Sequence, residues 1–424
     1  MNISVIIPVH NAGLYLEECL ASVFGQEFKK YEVICVDDAS NDDISKRILE
    51  KYKKTYANMH IITLEQSIGA AGARNLGLSM AIGDYVIFLD ADDVFSNQML
   101  GTMYHKIEVE KADVCVCGYK KFYMEDEEKK YLFQHVPNLN RLSDRNNEDW
   151  FLYCCLSPWD KLCKRSFLQH HNICFQNLTS CNDVLFSCMV LKKASKIVYL
   201  EEFSFVEYRA NVCTQISANR NPSNIIYAMD EFEKKLSETN SYDEIAYNQR
   251  VNLLVQKGLH ELQICKNDDK IKECYELLQE RIIKIQVFPK NKKTRFLCQG
   301  ILNNSYEGRW FDKLDYYGQL KAMSKEIIKM LLNYDACFLW GLGKRGEAFQ
   351  QICYELGISL SGVTDRKNEN IGYETKYGYK VKDTQYVLDN AKIIIASNSK
   401  IYMDLQEQVS TTTTVIDIEQ FCPF

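Results

Sequence analysis

Along the N-terminal part of the chain, apolar residues gather in short unbroken runs separated by stretches of helical period. Val5-Ile6-Ile7, Val33-Ile34-Cys35-Val36, Ile61-Ile62 and Tyr85-Val86-Ile87-Phe88-Leu89 show no alternation, the pattern of strands buried on both faces of a parallel sheet. Between them, Leu16, Cys19, Leu20 and Val23 recur at helical spacing, and a Lys-rich segment from Ile44 to Tyr56 predicts a second helix. Pro8 ends the first strand, and Val9 to Gly13 reads as the loop after it. Ser67 to Asn75 reads as a small-residue loop that lets backbone approach a ligand; the helix after it, from Leu76 to Ala81, would point its amino end at phosphate. Strand and helix in alternation predict a right-handed parallel sheet.

Two of these strands end in acid. Asp37 and Asp38 follow the second, and Asp90, Asp92 and Asp93 follow the fourth. Ligands of open α/β sheets bind beyond the carboxyl ends of strands, and carboxylates clustered there repel one another unless a cation or donors offset them. A divalent ion shared with a diphosphate supplies the offset in one reading. In the other, the acids form a solvated turn and Ser96 caps the next helix. The residues alone leave both open.

Further along, the pattern changes twice. From about Pro222 to Leu332, Pro and Gly are scarce, and Ala246 to Cys265 and Ile271 to Val287 predict amphipathic helices, with Leu253, Leu254, Leu259 and Leu262 apolar. The expectation there is packing or an oligomer surface, not chemistry. A second α/β unit follows: a strand from Ala336 to Trp340, a helix through Ile352, and strands at Leu360 to Asp365, Lys392 to Ser397 and Val415 to Ile418. Gly341, Gly343 and Gly346 lie between its first strand and first helix, and Asp365 follows about 20 residues later, the separation of a carboxylate that binds ribose. These four are candidates for a second nucleotide site; tight-turn glycines and a docking role are the competing reading. The expected domains are 1–221, 222–333 and 334–424.

At 424 residues the chain exceeds one ordinary domain. A formal charge of −6 argues against nucleic acid as the main partner. Seventeen cysteines, an odd number scattered through strands and helices, read as buried reduced thiols rather than a disulfide framework or a zinc site. The chain opens on a strand rather than a signal sequence, and no apolar run approaches the roughly 20 residues of a membrane span, so a reducing cytoplasm is expected.

Taken together, SVIIPVHN at Ser4–Asn11, VICVDDASND at Val33–Asp42, GAAGARNLGL at Gly69–Leu78 and GDYVIFLDADD at Gly83–Asp93 resemble the successive signatures of family 2 glycosyltransferases of the GT-A fold. The likeness spans roughly the first 210 residues. It implies an α/β nucleotide-diphospho-sugar transferase fold, followed by a helical connector and a small Rossmann-like domain. That last unit is similar to those appended to bacterial polysaccharide-assembly proteins.

The resemblance also assigns roles. Asp92 and Asp93, with Asp90, would hold Mn2+ or Mg2+ against the donor's phosphates. Asp38 would bind the nucleobase or ribose, Pro8, His10 and Asn11 would line the same pocket, and Arg74 would face phosphate or cap a neighbouring acid. The segment Ser157–Arg165 resembles the one placed under the acceptor, where Trp159 either offers a flat face to a sugar or is buried. Asn182-Asp183 stands where the family carries a Glu-Asp pair; Asp183 would be the general base, or the cap of the helix after it. The implied activity is inverting transfer from a nucleotide-sugar, a UDP-sugar favoured, to a glycan or lipid-linked acceptor in bacterial surface polysaccharide synthesis. A peripheral contact at the inner face of the membrane and a homo-oligomer are the further partners it suggests. The alternative, favoured by Asn182, is a non-catalytic nucleotide-sugar-binding or scaffolding protein.

Overall fold

A computed structural model describes the chain except residues 126–127, 211–219, 286–289, 307–310, 312–335, 356–358, 366–370, 376, 398, 407, 410–411 and 418–424. Ile418 and much of the expected helical stretch beyond 306 therefore lie outside the described residues. The chain divides into two compact units, 1–291 and 292–424.

In the first unit β1 (Ile3–Val9), α1 (Tyr15–Phe24), β2 (Tyr31–Asp37), α2 (Asp43–Thr55), β3 (Met59–Thr63), α3 (Gly69–Met80) and β4 (Tyr85–Phe88) alternate as the periodicity predicts. Their strands pair in parallel in the order β3-β2-β1-β4. Every residue of β2 is buried, which is why its run shows no alternation. The strand β1 runs through Pro8 to Val9, because its ladder with β4 ends at Ile6 and the missing Pro8 N–H falls beyond it.

Next come β5 (Val94–Phe95), α4 (Met99–Glu110), β6 (Val114–Glu125), β7 (Glu128–His135), α5 (Leu139–Leu142), β8 (Lys161–Lys164), α6 (Arg165–His170), α7 (Asn182–Lys193) and β9 (Ile197–Arg209). Here the sheet turns mixed. Strand β8 lies antiparallel between β4 and β6, β9 is parallel to β6, and β5 and β7 pair antiparallel with β9 and β6. The all-parallel expectation thus describes the first four strands only. Helices α8 (Asn224–Glu238), α9 (Glu244–Ile264) and α10 (Asp268–Ile283) fall in this same unit. Gln249 of α9 donates to the carbonyls of Arg145 and Asn147, each at 2.9 Å, and Asp230 of α8 receives Arg250 at 3.0 Å and Arg281 at 2.9 Å.

The small residues from Gly69 are helix, not loop. Gly69 to Met80 is one continuous α3, and its buried face lies on β1 and β2. A Cβ on Gly77 would come within 2.5 Å of Ile6 Cγ2, so the glycine sets how closely helix and sheet approach.

In the second unit α11 (Lys292–Asn303) precedes β10 (Cys337–Trp340), α12 (Lys344–Glu355), β11 (Gly362–Thr364), α13 (Thr384–Asn390), β12 (Ile393–Ala396), α14 (Ser399–Gln406) and β13 (Thr414–Asp417). Its strands are parallel in the order β11-β10-β12-β13, which reverses at β10 as in a doubly wound sheet. The cysteines among the described residues are free thiols, most of them buried. No described helix is long and apolar enough to cross a membrane.

Gly77→Ala is expected to destabilise the first unit by about 1–3 kcal/mol despite alanine's better helix propensity, because overpacking against Ile6 outweighs it. Urea unfolding followed by far-ultraviolet circular dichroism measures this; an unchanged or raised midpoint would show that the helix seat tolerates a methyl group.

Candidate active site

Parallel pairing sets Val9 beside Asp37 and Ile6 beside Phe88, so the chain leaves β1, β2 and β4 on one edge of the sheet. The loops there carry His10 to Gly13, Asp38 to Asp42 and Asp90 to Asp93.

The guanidinium of Arg74 joins this edge to α7. One terminal nitrogen lies 2.5 Å from Asp90 Oδ1 and the other donates to Asn182 Oδ1 at 2.8 Å. The side chain is buried, its Nε has no hydrogen-bond partner, and its plane lies 5.3 Å from the Phe175 ring. Beneath it, Phe175 stacks on Phe186 of α7 at 4.2 Å and meets Phe88 of β4 edge-on at 4.8 Å. Asn75 exchanges two 2.8 Å hydrogen bonds with the Phe175 backbone. An aromatic layer and a backbone latch therefore fix the distance between α3, β4 and α7, and the ionic contacts sit on top. Sequence reading aimed Arg74 at phosphate or at an acid on the surface; it is paired with an acid, but buried.

Asp183 lies in the first turn of α7, partly exposed. Burial pushes its proton affinity up, Asp90 adds to that, and Arg74 and Lys161 oppose it. The cap position of this helix is Cys181, in the left-handed region with φ +54°, and it makes no side-chain cap hydrogen bond. The cap reading of Asp183 thus finds no support here.

The three strand-end acids differ in setting. Asp90 is 31% exposed at its side chain and pairs with Arg74. Asp92 is partly exposed, and its carbonyl accepts from Arg209 Nε at 3.0 Å. Asp93 is fully buried: Oδ1 accepts the Arg209 backbone N–H at 2.8 Å, and Oδ2 has no hydrogen-bond partner. Burial first, then the charges of Asp92 and Asp90, drive its pKa well above the carboxylate range, against the pull of Arg209. The expectation that Asp93 faces a metal is corrected: its carboxyl points into the protein. Arg209 is held from behind by Glu18 at 2.7 Å and lies 4.7 Å from the rings of both Tyr15 and Phe122. Among the described residues, no three His, Cys, Asp or Glu side chains form a metal-ligand set. Asp90 and Asp92 supply two carboxylates, the number a hard cation takes when substrate phosphates complete its shell.

Asp38 is buried, and its carboxylate accepts from Ser67 Oγ at 2.6 Å, Ile68 N at 2.7 Å and Gly69 N at 2.9 Å. It therefore caps α3, the helix that carries Arg74. His10 Nδ1 lies 2.6 Å from the Asp38 carbonyl oxygen. Asn11 takes φ +52°, and its side-chain oxygen accepts the amides of Asn41 at 2.8 Å and Asp42 at 3.2 Å. The loops after β1 and β2 are thereby tied together, with exposed His10 and partly exposed Pro8 and Asn11 on the same edge.

Trp159 is corrected as an acceptor platform. It is 3% exposed, edge-on to Tyr119 at 4.8 Å and near-parallel to Tyr208 at 5.9 Å, so no face is open to a sugar. Its neighbours Asp160 and Lys161 form a fully buried ion pair at 2.6 Å, and the Lys161 ammonium also donates to the carbonyls of Cys155 and Ser157. Sequence reading gave no role to Arg209 or to Lys161, although Lys161 lies in the segment likened to the one under the acceptor.

In the second unit Gly341 has φ +109°, and a Cβ on Gly346 would lie 1.8 Å from the Gly341 carbonyl oxygen. The turn itself thus demands both glycines, whereas Gly343 faces open space. Asp365 Oδ2 accepts the Leu342 amide at 2.7 Å and so closes back onto this turn.

Residues 4–171 match the family model described as glycosyl transferase family 2. Glycosyltransferase GlyG of Streptococcus pneumoniae is 28% identical over 250 residues, 56% of this chain and 80% of that protein. The poly(ribitol-phosphate) beta-glucosyltransferase of Bacillus spizizenii is 31% identical over 209 residues, 48% of this chain but only 32% of its own length. The fold is similar to that of Staphylococcus aureus TarS residues 1–349 in complex with UDP, with a TM-score of 0.56 and 22% identity, covering 74% of this chain and 90% of that one. The matched segment holds β1 to β8 with the strand-end acids and Arg74, and over it the chain is similar to glycosyl transferase family 2 and has a GT-A fold.

Proposed function

We propose that the chain transfers a sugar, with inversion, from a nucleotide-diphosphate donor to a hydroxyl of a glycan or lipid-linked acceptor in bacterial surface polysaccharide synthesis. The observation that carries this reading is the Arg74 bridge, which sets Asp90 and the Asn182-Asp183 turn around one buried cation. Relatives described as acting on poly(ribitol-phosphate), and the UDP complex of TarS, favour a UDP-sugar and a cell-surface acceptor.

In this reading Asp183 accepts the proton of the acceptor hydroxyl as that oxygen attacks the anomeric carbon. The bond to the diphosphate breaks with its electron pair on the leaving oxygen, opposite the attack, so the configuration inverts. Burial suits Asp183 to the task by raising its proton affinity, while Arg74 keeps enough of it ionised. Asn182 is no sign of lost function here, because its carboxamide oxygen serves as the Arg74 acceptor. Mn2+ or Mg2+, held by Asp92 with Asp90 beside it, would neutralise charge on the leaving diphosphate. Asp93 and Arg209 act behind that turn and fix its shape.

The test is a screen of nucleotide-sugars for Mn2+-dependent thermal stabilisation, followed by donor hydrolysis and transfer. No stabilisation and no turnover with any donor would sink the reading. Asp183→Asn should keep UDP binding and lose turnover by about 10²- to 10⁴-fold, the usual contribution of a general base; transfer equal to wild type would remove its role. Asp92→Ala should abolish the Mn2+-dependent part of UDP binding in calorimetry, and retention of that part would place the ion elsewhere. Because Asp183 must be ionised to act and its pKa is raised, kcat should fall on the acid side at a pH above the ordinary aspartate range. A pH profile flat down to pH 4 would contradict this.

A further inference from the structure

Helix α9, which the sequence offered as packing or an oligomer surface, carries charge that reaches the amino end of α7. Lys192 near the carboxyl end of α7 donates to Gln249 of α9 at 3.4 Å, and burial, joined by the charge of Asp183 at the amino end of α7, raises the proton affinity of Glu261 farther along α9. Nine residues back along α7 is Asp183; nine residues on along α9 is position 258, flanked by Lys257 and Glu261. Glu261 is 4% exposed, accepts Arg220 at 2.7 Å through Oε1, and has no hydrogen-bond partner at Oε2.

The residue after Arg220 is latched beside Asp183: the Asn221 amide donates to Ser180 Oγ at 3.1 Å, and that hydroxyl donates to the Asn221 carbonyl at 3.2 Å. Exposed Lys257 and His260 stand on α9 within one turn of Glu261. Lys121 comes from β6, where it pairs with Tyr208 in the register that sets Phe122 beside Arg209, with its ammonium 5.6 Å from the Tyr208 ring. These cations are close enough to act on one another: the protein around the His260 ring, followed by the charges of Lys257, Arg220 and Lys121, holds that imidazole below its ordinary range. Arg220 and Lys257 thus stand near the buried Glu261 carboxylate, which also feels Asp183, and His260 adjoins both cations and Lys121. Like charges gathered in this way repel, and an anion relieves them.

We propose that Lys121, Arg220, Lys257 and His260 form a phosphate-binding rim beside Asp183, with Glu261 fixing the position of Arg220. The phosphate belongs to one of the two substrates, either the donor's diphosphate or a phosphate carried by the acceptor. The inference rests on the reading of Asp183 as the transfer site, but its test needs no turnover.

The double variant Lys257→Gln/His260→Gln changes exposed positions, and its melting temperature serves as the check on folding. Wild type and variant are titrated by calorimetry with inorganic pyrophosphate, with UDP, and with glycerol 3-phosphate in the presence of saturating UDP. A loss of about fivefold or more for pyrophosphate and UDP, shrinking as salt is raised, assigns the rim to the donor. A similar loss for glycerol 3-phosphate with UDP affinity unchanged assigns it to the acceptor. Equal affinities of wild type and variant for all three probes, or no binding of any of them by wild type, overturns the proposal. A chain that binds these probes through the rim yet transfers no sugar would refute the transferase reading and leave the rim standing.

Discussion

A guanidinium removed from water must be met on several sides at once, and Arg74 is met from β4, from α7 and by an aromatic face. Breaking a fully buried ion pair by removing one partner costs about 3–5 kcal/mol, and with Asp90 at 31% side-chain exposure the cost here lies below that range. What the contact contributes is geometry. It leaves one arrangement of the fourth strand's end relative to the start of α7, and the Phe88, Phe175 and Phe186 layer makes that arrangement rigid.

The carboxylates around this cation are graded by burial, and the gradient separates their work. Asp38 and Asp93 are enclosed: Asp38 accepts backbone amides and the Ser67 hydroxyl at the start of α3, and Asp93 accepts the backbone amide at the end of β9 through one oxygen. Asp90, Asp92 and Asp183 keep some exposure. The inward pair shapes the two loops, and the outward three face whatever enters. Arg209 connects the tiers, since it holds the Asp92 carbonyl and the Asp93 carboxyl while its own charge rests on Glu18 and between two rings.

Helices α8 to α10 belong to the same compact unit as the mixed sheet. Their polar side chains are used inward: Gln249 and Asn252 satisfy carbonyls of the segment before the 3₁₀ turn at Trp150, and Arg250 and Arg281 converge on Asp230. A helix that reads as amphipathic packing thus also anchors a segment far earlier in the chain. In the second unit the glycine pattern is explained by local contact, as Gly341 and Gly346 leave no room for a side chain and Asp365 closes the turn.

The sequence by itself determined the βαβ series and the edge at which the acids collect. Strand type and helical period are local properties, and the carboxyl ends of parallel strands must share one edge. The four signature segments together also pointed to the family whose model matches residues 4–171. Tertiary structure alone decided which way each side chain turns. Asp92 and Asp93 are adjacent and chemically alike, yet one is partly exposed and the other is sealed by Arg209, which lies far along the chain. Trp159 could have been platform or core until Tyr119 and Tyr208 closed over it. The small residues after Ser67 read as loop, and became helix because Asp38 caps them and Ile6 leaves room only for a glycine at position 77. In each case the deciding partner is distant in sequence, and burial depends on that partner rather than on the residue's own neighbours.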